Sequence, residues 1–153
     1  NFGLYRERVG CLIALTQSAA AAGATLTQLT RIARGLYSMP PDHGAAIVAE
    51  ILGSDTLRAA WRSELDGMRA RITHLRAATT QALAEACPDE DFSHIQRQRG
   101  MFSYLGISPQ AVRRLREQHH VYMTEDSRVN VAGLRLENIP YFAASVAAAG
   151  GAR

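Results

Sequence analysis

The stretch "DTLRAAWRSELDGMRARITHLRAATTQALAEA", residues 55–86, decides how the rest of the chain is read. Leu57, Trp61, Leu65, Met68, Ile72, Leu75, Thr79 and Leu83 recur at intervals of three and four, the period of one face of an α-helix. Gly53 closes the segment before it, and Ser54 stands where an N-cap is wanted, because its hydroxyl can accept from an unpaired N–H of the first turn. At about 1.5 Å per residue such a helix spans roughly 48 Å, longer than a small domain is wide. It is expected to bridge two domains, residues 1–54 before it and 87–153 after it.

Toward the N-terminus, residues 8–15 form an apolar run that reads as a buried strand, and 18–36 read as a helix with Leu26, Leu29, Ile32 and Ala33 on one stripe. "YSMPPDHG", residues 37–44, stops that helix, since two consecutive prolines cannot continue it. A short helix from about 44 to 52 follows. Toward the C-terminus the pattern alternates between helix and strand: "FSHIQRQ" (92–98), "GMFSYLG" (100–106), a helix opened by Ser108 and Pro109, then "VYMT" (121–124), "RVNVAG" (128–133) and a final helix from about Glu137. Serine at the cap and proline at the first helical position are the expected residue types there. The fold class is α/β, without repeats or low-complexity segments.

At 153 residues and 47% hydrophobic, the chain can bury a core. Its apolar stretches are short and interrupted by Arg, Thr and Gly, so a soluble protein without a membrane segment is expected. All 17 basic residues are arginine and the net charge is +3. Arginine stays charged and forks onto carboxylates and phosphates, but it cannot act as a Schiff-base amine. Cys11 and Cys87 have neither a disulfide framework nor metal-ligand spacing, so both read as reduced, structural residues of a cytosolic protein. The five histidines form no metal motif, and the adjacent His119 and His120 would point apart on a helix or strand.

Two arginines stand at the margins of apolar strands. Arg8 in "RERVG" enters such a run, where an unpaired charge is costly; it meets either a neighbouring carboxylate such as Glu7 or a bound anion. Arg128 in "SRVNVAG" lies between a polar turn and a short strand and has the same two readings. A different function class is a noncatalytic, arginine-rich module that binds nucleic acid or a protein, using Arg58, Arg62, Arg69, Arg71 and Arg76 of the long helix. Glu64, Asp66 and Glu85 interrupt that face and the net charge is modest, so these arginines read as a solvated helix surface.

The combination goes further than any single segment. "NFGLYRERVG" (1–10), "RGLYSMPPDHGA" (34–45), "RQRGMFSYLG" (97–106) and "SRVNVAG" (127–133), in this order and at these separations, closely resemble the C-terminal part of the class I pyridoxal-phosphate-dependent aminotransferases. The likeness is nearest to the bacterial aspartate and aromatic amino acid enzymes and runs from residue 1 to the last helix. It implies the end of a large mixed-sheet cofactor domain, a long interdomain helix and a small α/β domain. "NFGLYRERVG" reads as the middle of a working loop, and the resemblance implies that the lysine carrying the cofactor stands immediately before Asn1, so that no catalytic residue lies in this segment.

Carried over position by position, the resemblance implies that Arg8 grips the phosphate of pyridoxal 5'-phosphate and that Arg128 binds the substrate α-carboxylate. It implies that Arg34 reaches the neighbouring subunit's site to hold a distal carboxylate; the bland alternative is a solvated cation in the last turn of a helix. Phe102 matches an aromatic residue lining the substrate pocket, against the alternative of ordinary packing. Tyr37 and Ser38 fall in the matching interface loop, where Met39 replaces a position that is often polar. The activity implied is transamination between an aromatic amino acid, tyrosine or phenylalanine, or a dicarboxylic one, and 2-oxoglutarate, with aspartate aminotransferase as the alternative. A cytoplasmic homodimer is implied, with no nucleic acid, membrane or metal.

Overall fold

Helix α1, Ala19–Tyr37, begins where Ser18 places its hydroxyl oxygen 3.1 Å from the N–H of Ala21, a side-chain cap for an otherwise unpaired donor. It ends at Ser38, whose N–H donates to the Arg34 carbonyl, immediately before Met39 and the two prolines. Its half-buried positions are Ala21, Thr25, Leu29 and Ala33, one residue every four. Leu29 and Ala33 of the expected stripe are among them, whereas Leu26 and Ile32 are exposed. Helix α2 is His43–Gly53 and helix α3 is Asp55–Ala86, with the boundaries that the stop and cap residues indicate. Helices α4 (His94–Arg97), α5 (Pro109–His119) and α6 (Ile139–Ala148), with strands β1 (Phe102–Tyr104) and β2 (Arg128–Asn130), complete the order.

This computed structural model describes residues 2–150. The expected lysine site ahead of Asn1 and the last three residues of the C-terminal segment lie outside the described residues. The chain divides into two units, Asn1–Glu64 and Leu65–Arg153, with the division inside α3. The class is mixed α/β, mostly helical, and the only sheet among the described residues is the antiparallel pair β1–β2.

Two expected strands are absent. Residues 8–15 are irregular, with Leu12, Ile13 and Leu15 exposed at 74%, 77% and 95% and Cys11 exposed as well. An apolar run becomes a strand only when a neighbouring strand takes its N–H and C=O groups, and no described segment pairs with this one. "VYMT" is likewise irregular; the Val121 N–H instead closes the end of α5 by donating to the Leu115 carbonyl.

The second unit holds the core. Leu75 and Leu83 of α3 pack with Phe92, Ile95, Leu105, Ala111, Val112, Leu115, Val131, Phe142 and Val146, all buried. Helix α5 opens on Pro109 with the Ser108 hydroxyl capping the Ala111 N–H at 3.1 Å, and it packs on α6. The α3 stripe is therefore buried only in part: Leu75, Thr79 and Leu83 are covered, while Leu57, Leu65 and Met68 stay exposed. Cys87 is buried, and burial pushes its thiol pKa up, with Glu90 adding to the rise, in keeping with a structural role.

Candidate functional site

The two-stranded ribbon pairs Phe102 with Asn130, Ser103 with Val129 and Tyr104 with Arg128. Leu105 N–H donates to the Ser127 carbonyl and Val131 N–H to that of Met101, one residue outside each end pair. This makes Tyr104–Arg128 and Phe102–Asn130 non-hydrogen-bonded pairs, in which facing side chains approach most closely. Alternation turns Ser103 and Val129 into the core and leaves Phe102, Tyr104, Arg128 and Asn130 on the exposed face. There the Arg128 guanidinium carbon lies 5.3 Å from the centroid of the Phe102 ring, within cation–π range. Two of the three residues assigned to substrate by resemblance, Phe102 and Arg128, far apart in sequence, thus meet on one surface.

The turn before β2 sets that surface. Asp126 Oδ1 accepts from the Thr124 hydroxyl at 2.5 Å and from the Arg128 N–H at 3.2 Å. The Thr124 hydroxyl bond is the leading cause holding the Asp126 carboxyl below its ordinary pKa; backbone bonding and the Arg128 charge act the same way. Ser127 takes a left-handed backbone, φ 65°, rare for a residue with a side chain. Its buried hydroxyl accepts from the Gly106 N–H at 3.1 Å, which ties the turn to the end of β1.

In the first unit, Arg8 is exposed and caps a single 3-10 turn, Tyr5–Glu7, with φ 55°. Its guanidinium carbon sits 5.4 Å from the Tyr5 ring centroid. The expected Glu7 partner is engaged elsewhere: its Oε2 lies 3.4 Å from His43 Nδ1. Among the described residues Arg8 forms no ion pair. The loop is held close to α2, because a Cβ on Gly44 would fall well inside contact distance of Val9 Cγ2 and at 3.0 Å from Glu7 Cβ. Arg34 is exposed in the last turn of α1, and Tyr37 and Met39 are exposed beside it. Open depressions of about 230 and 450 Å³ contain none of Arg8, Arg34, Phe102 and Arg128.

On the long helix Arg58, Arg62, Arg69 and Arg71 are exposed, in keeping with a solvated surface, whereas Arg76 is not. Arg58 pairs with Asp55 and Arg69 with Asp66, while Arg71 donates to the carbonyls of Ala132 and Leu134. Arg76 is buried, 3% exposed, against its reading as a surface residue. No group of three or more His, Cys, Asp or Glu side chains suited to a metal occurs among the described residues, and no described helix is long and apolar enough to cross a membrane.

A model of the family described as aminotransferase class I and II matches residues 1–146. The chain belongs to this family. It is 48% identical over 147 residues to an aromatic-amino-acid aminotransferase of Pseudomonas aeruginosa, and 42% identical over 146 residues to an aspartate aminotransferase of Haemophilus influenzae. These alignments cover 96% and 95% of the chain and 37% of each relative. A crystal structure of the aromatic-amino-acid aminotransferase from Burkholderia pseudomallei, covalently bound to pyridoxal phosphate, superposes with a TM-score of 0.83 at 45% identity, over 95% of this chain and 37% of that one. The aminotransferase chain thus spans a little over a third of those relatives' length. The matches do not support the expectation that it corresponds to their C-terminal end.

Within the aminotransferase chain, two members of the exposed ribbon face escaped the sequence reading, Tyr104 and Asn130. Both were accessible in principle, because residues two apart on a strand share a face. Arg76 carried no such signal.

Proposed function

We propose that the protein containing this chain is a pyridoxal-phosphate-dependent aminotransferase acting between an aromatic amino acid, tyrosine or phenylalanine, or a dicarboxylic one, and 2-oxoglutarate. The pairing of Arg128 with Phe102 on the exposed ribbon face carries this reading. A guanidinium there receives the α-carboxylate through two parallel hydrogen bonds, which fix both the position and the rotation of the amino acid. The half-exposed rings of Phe102 and Tyr104 beside it offer an apolar wall suited to an aromatic side chain.

Arg8 fits the cofactor phosphate: it is exposed, permanently charged and free of an ion pair among the described residues. The sequence has no lysine, so these residues account for holding the phosphate and not for covalent attachment. When bound, pyridoxal phosphate supplies an electron sink that makes the substrate Cα proton labile. Arg34 takes the distal carboxylate of a dicarboxylic substrate at a neighbouring subunit's site, which makes the working form a homodimer, and the location is the cytoplasm.

Replacing Arg128 by Leu in the full-length protein should raise KM for phenylalanine by about 100-fold, the effect of leaving a bound carboxylate without its cation. An unchanged KM would overturn the carboxylate role. Aspartate aminotransferase is the second reading, favoured by the Haemophilus influenzae relative. The ratio of kcat/KM for phenylalanine to that for aspartate separates the two: a strong preference for aspartate selects the second, and no amino transfer from either rejects both.

A further inference from the structure

In a two-stranded ribbon, residues of a non-hydrogen-bonded pair turn their own N–H and C=O away from the partner strand. The Phe102 and Tyr104 carbonyls therefore face the outer edge of β1, where no third strand pairs with them among the described residues. Side chains take both places. His94 Nε2 lies 2.8 Å from the Tyr104 carbonyl oxygen, and Arg76 Nη2 donates to that of Phe102 at 2.9 Å.

Arg76 does more along the same edge. Its Nη2 also donates to the Gly100 carbonyl at 2.8 Å and the Arg99 carbonyl at 3.5 Å; its Nη1 donates to the Ile95 carbonyl at 2.8 Å and to Ser103 Oγ at 2.5 Å. Every acceptor is neutral, and all belong to residues 95–103, the segment leading into β1. Desolvation is the main cause that lowers the Arg76 pKa, and Arg99 adds to it. A cation kept out of water without a carboxylate among these partners is a costly way to tie a loop. A planar, rigid fork spans several fixed acceptors as no other side chain does.

We infer that Arg76 is a positioning residue for the substrate carboxylate: by clamping the outer edge of β1 it holds the Phe102 ring against Arg128 and so presets the guanidinium that receives the substrate. The clamp occupies the β1 edge that no third strand pairs with among the described residues, where a two-stranded ribbon gains from added support. The inference rests on the assignment of Arg128 to the carboxylate.

The test uses full-length, cofactor-loaded protein and 3-phenylpropanoate, a carboxylate without an amine, as a direct binding probe alongside phenylalanine kinetics. Arg76→Lys keeps the charge and loses the fork. It should weaken the probe and raise KM by about tenfold while kcat moves much less, the pattern of a displaced binding group. Ser103→Ala removes one acceptor without touching the charge and should shift the probe in the same direction by a smaller factor; it keeps the test open if Arg76→Lys folds poorly. A lowered unfolding midpoint with unchanged probe affinity in both variants would make Arg76 a purely structural residue and overturn the inference. Loss of probe affinity in Arg128→Leu alongside that result would leave the carboxylate reading standing. Unchanged probe affinity in Arg128→Leu would remove the reading and the inference together.

Discussion

Asp126 shows how one residue's chemistry sets the geometry of another. Its carboxylate ties the Thr124 hydroxyl and the Arg128 N–H into a single turn. Its folded pKa is depressed below the ordinary 3.8, so the stabilisation from its ionised form is present above that value and is lost as pH falls through the lower folded value. The turn should therefore hold down to about pH 4 and loosen only below it. Thr124→Val removes the leading cause, and NMR titration of the Asp126 carboxyl should show its midpoint move up toward 3.8; an unmoved midpoint would assign the depression to other groups. The sequence places Arg128 between a polar turn and a short strand, and that placement is correct. The left-handed Ser127 beside it is not legible, since its conformation is stabilised by the distant Gly106 N–H.

Among the elements, the helices were the most legible. Their limits follow from local chemistry: Ser18 and Ser108 cap, Pro40 and Pro41 stop, and α3 runs over the 55–86 span given by its three-and-four spacing. Ser108→Ala should cost about 1 kcal/mol, read from denaturant unfolding as a lower midpoint at constant slope. No change would mean that Pro109 and packing start α5 unaided. Gly44 governs another element, the loop carrying Arg8. An alanine Cβ there meets stiff Val9 and the stem of Glu7, so Gly44→Ala should displace the loop and weaken pyridoxal phosphate binding by about tenfold, measured by cofactor titration; unchanged affinity would detach Arg8 from the phosphate. Strands were poorly legible. "VGCLIAL" has the composition of a strand, yet a ladder needs a second segment that its own residues do not contain.

Within the second unit, one ribbon serves both stability and site: Ser103 and Val129 turn into the core while Phe102 and Arg128 form the exposed face. Leu115 is fully buried among α3, α5 and α6 side chains, so Leu115→Ala should cost about 2–5 kcal/mol, measured by denaturant unfolding; a cost under about 1 kcal/mol would mean that the second unit's core repacks freely. With the role proposed for Arg34, Arg34→Asp should lower kcat/KM for aspartate far more than for phenylalanine, because only a dicarboxylate carries the distal anion that this proposal pairs with Arg34. Equal losses would reject its specificity role. Period, capping residues and paired prolines act within a few positions, which is why the sequence by itself determined the helices, the arginine-only chemistry and the family. Only the tertiary structure decided that the 8–15 run finds no strand partner among the described residues, that Arg76 lies buried on the carbonyls of residues 95–103, and that the Arg128 guanidinium lies over the Phe102 ring. Pairing and burial depend on what distant segments bring to a residue, and no local pattern contains that information.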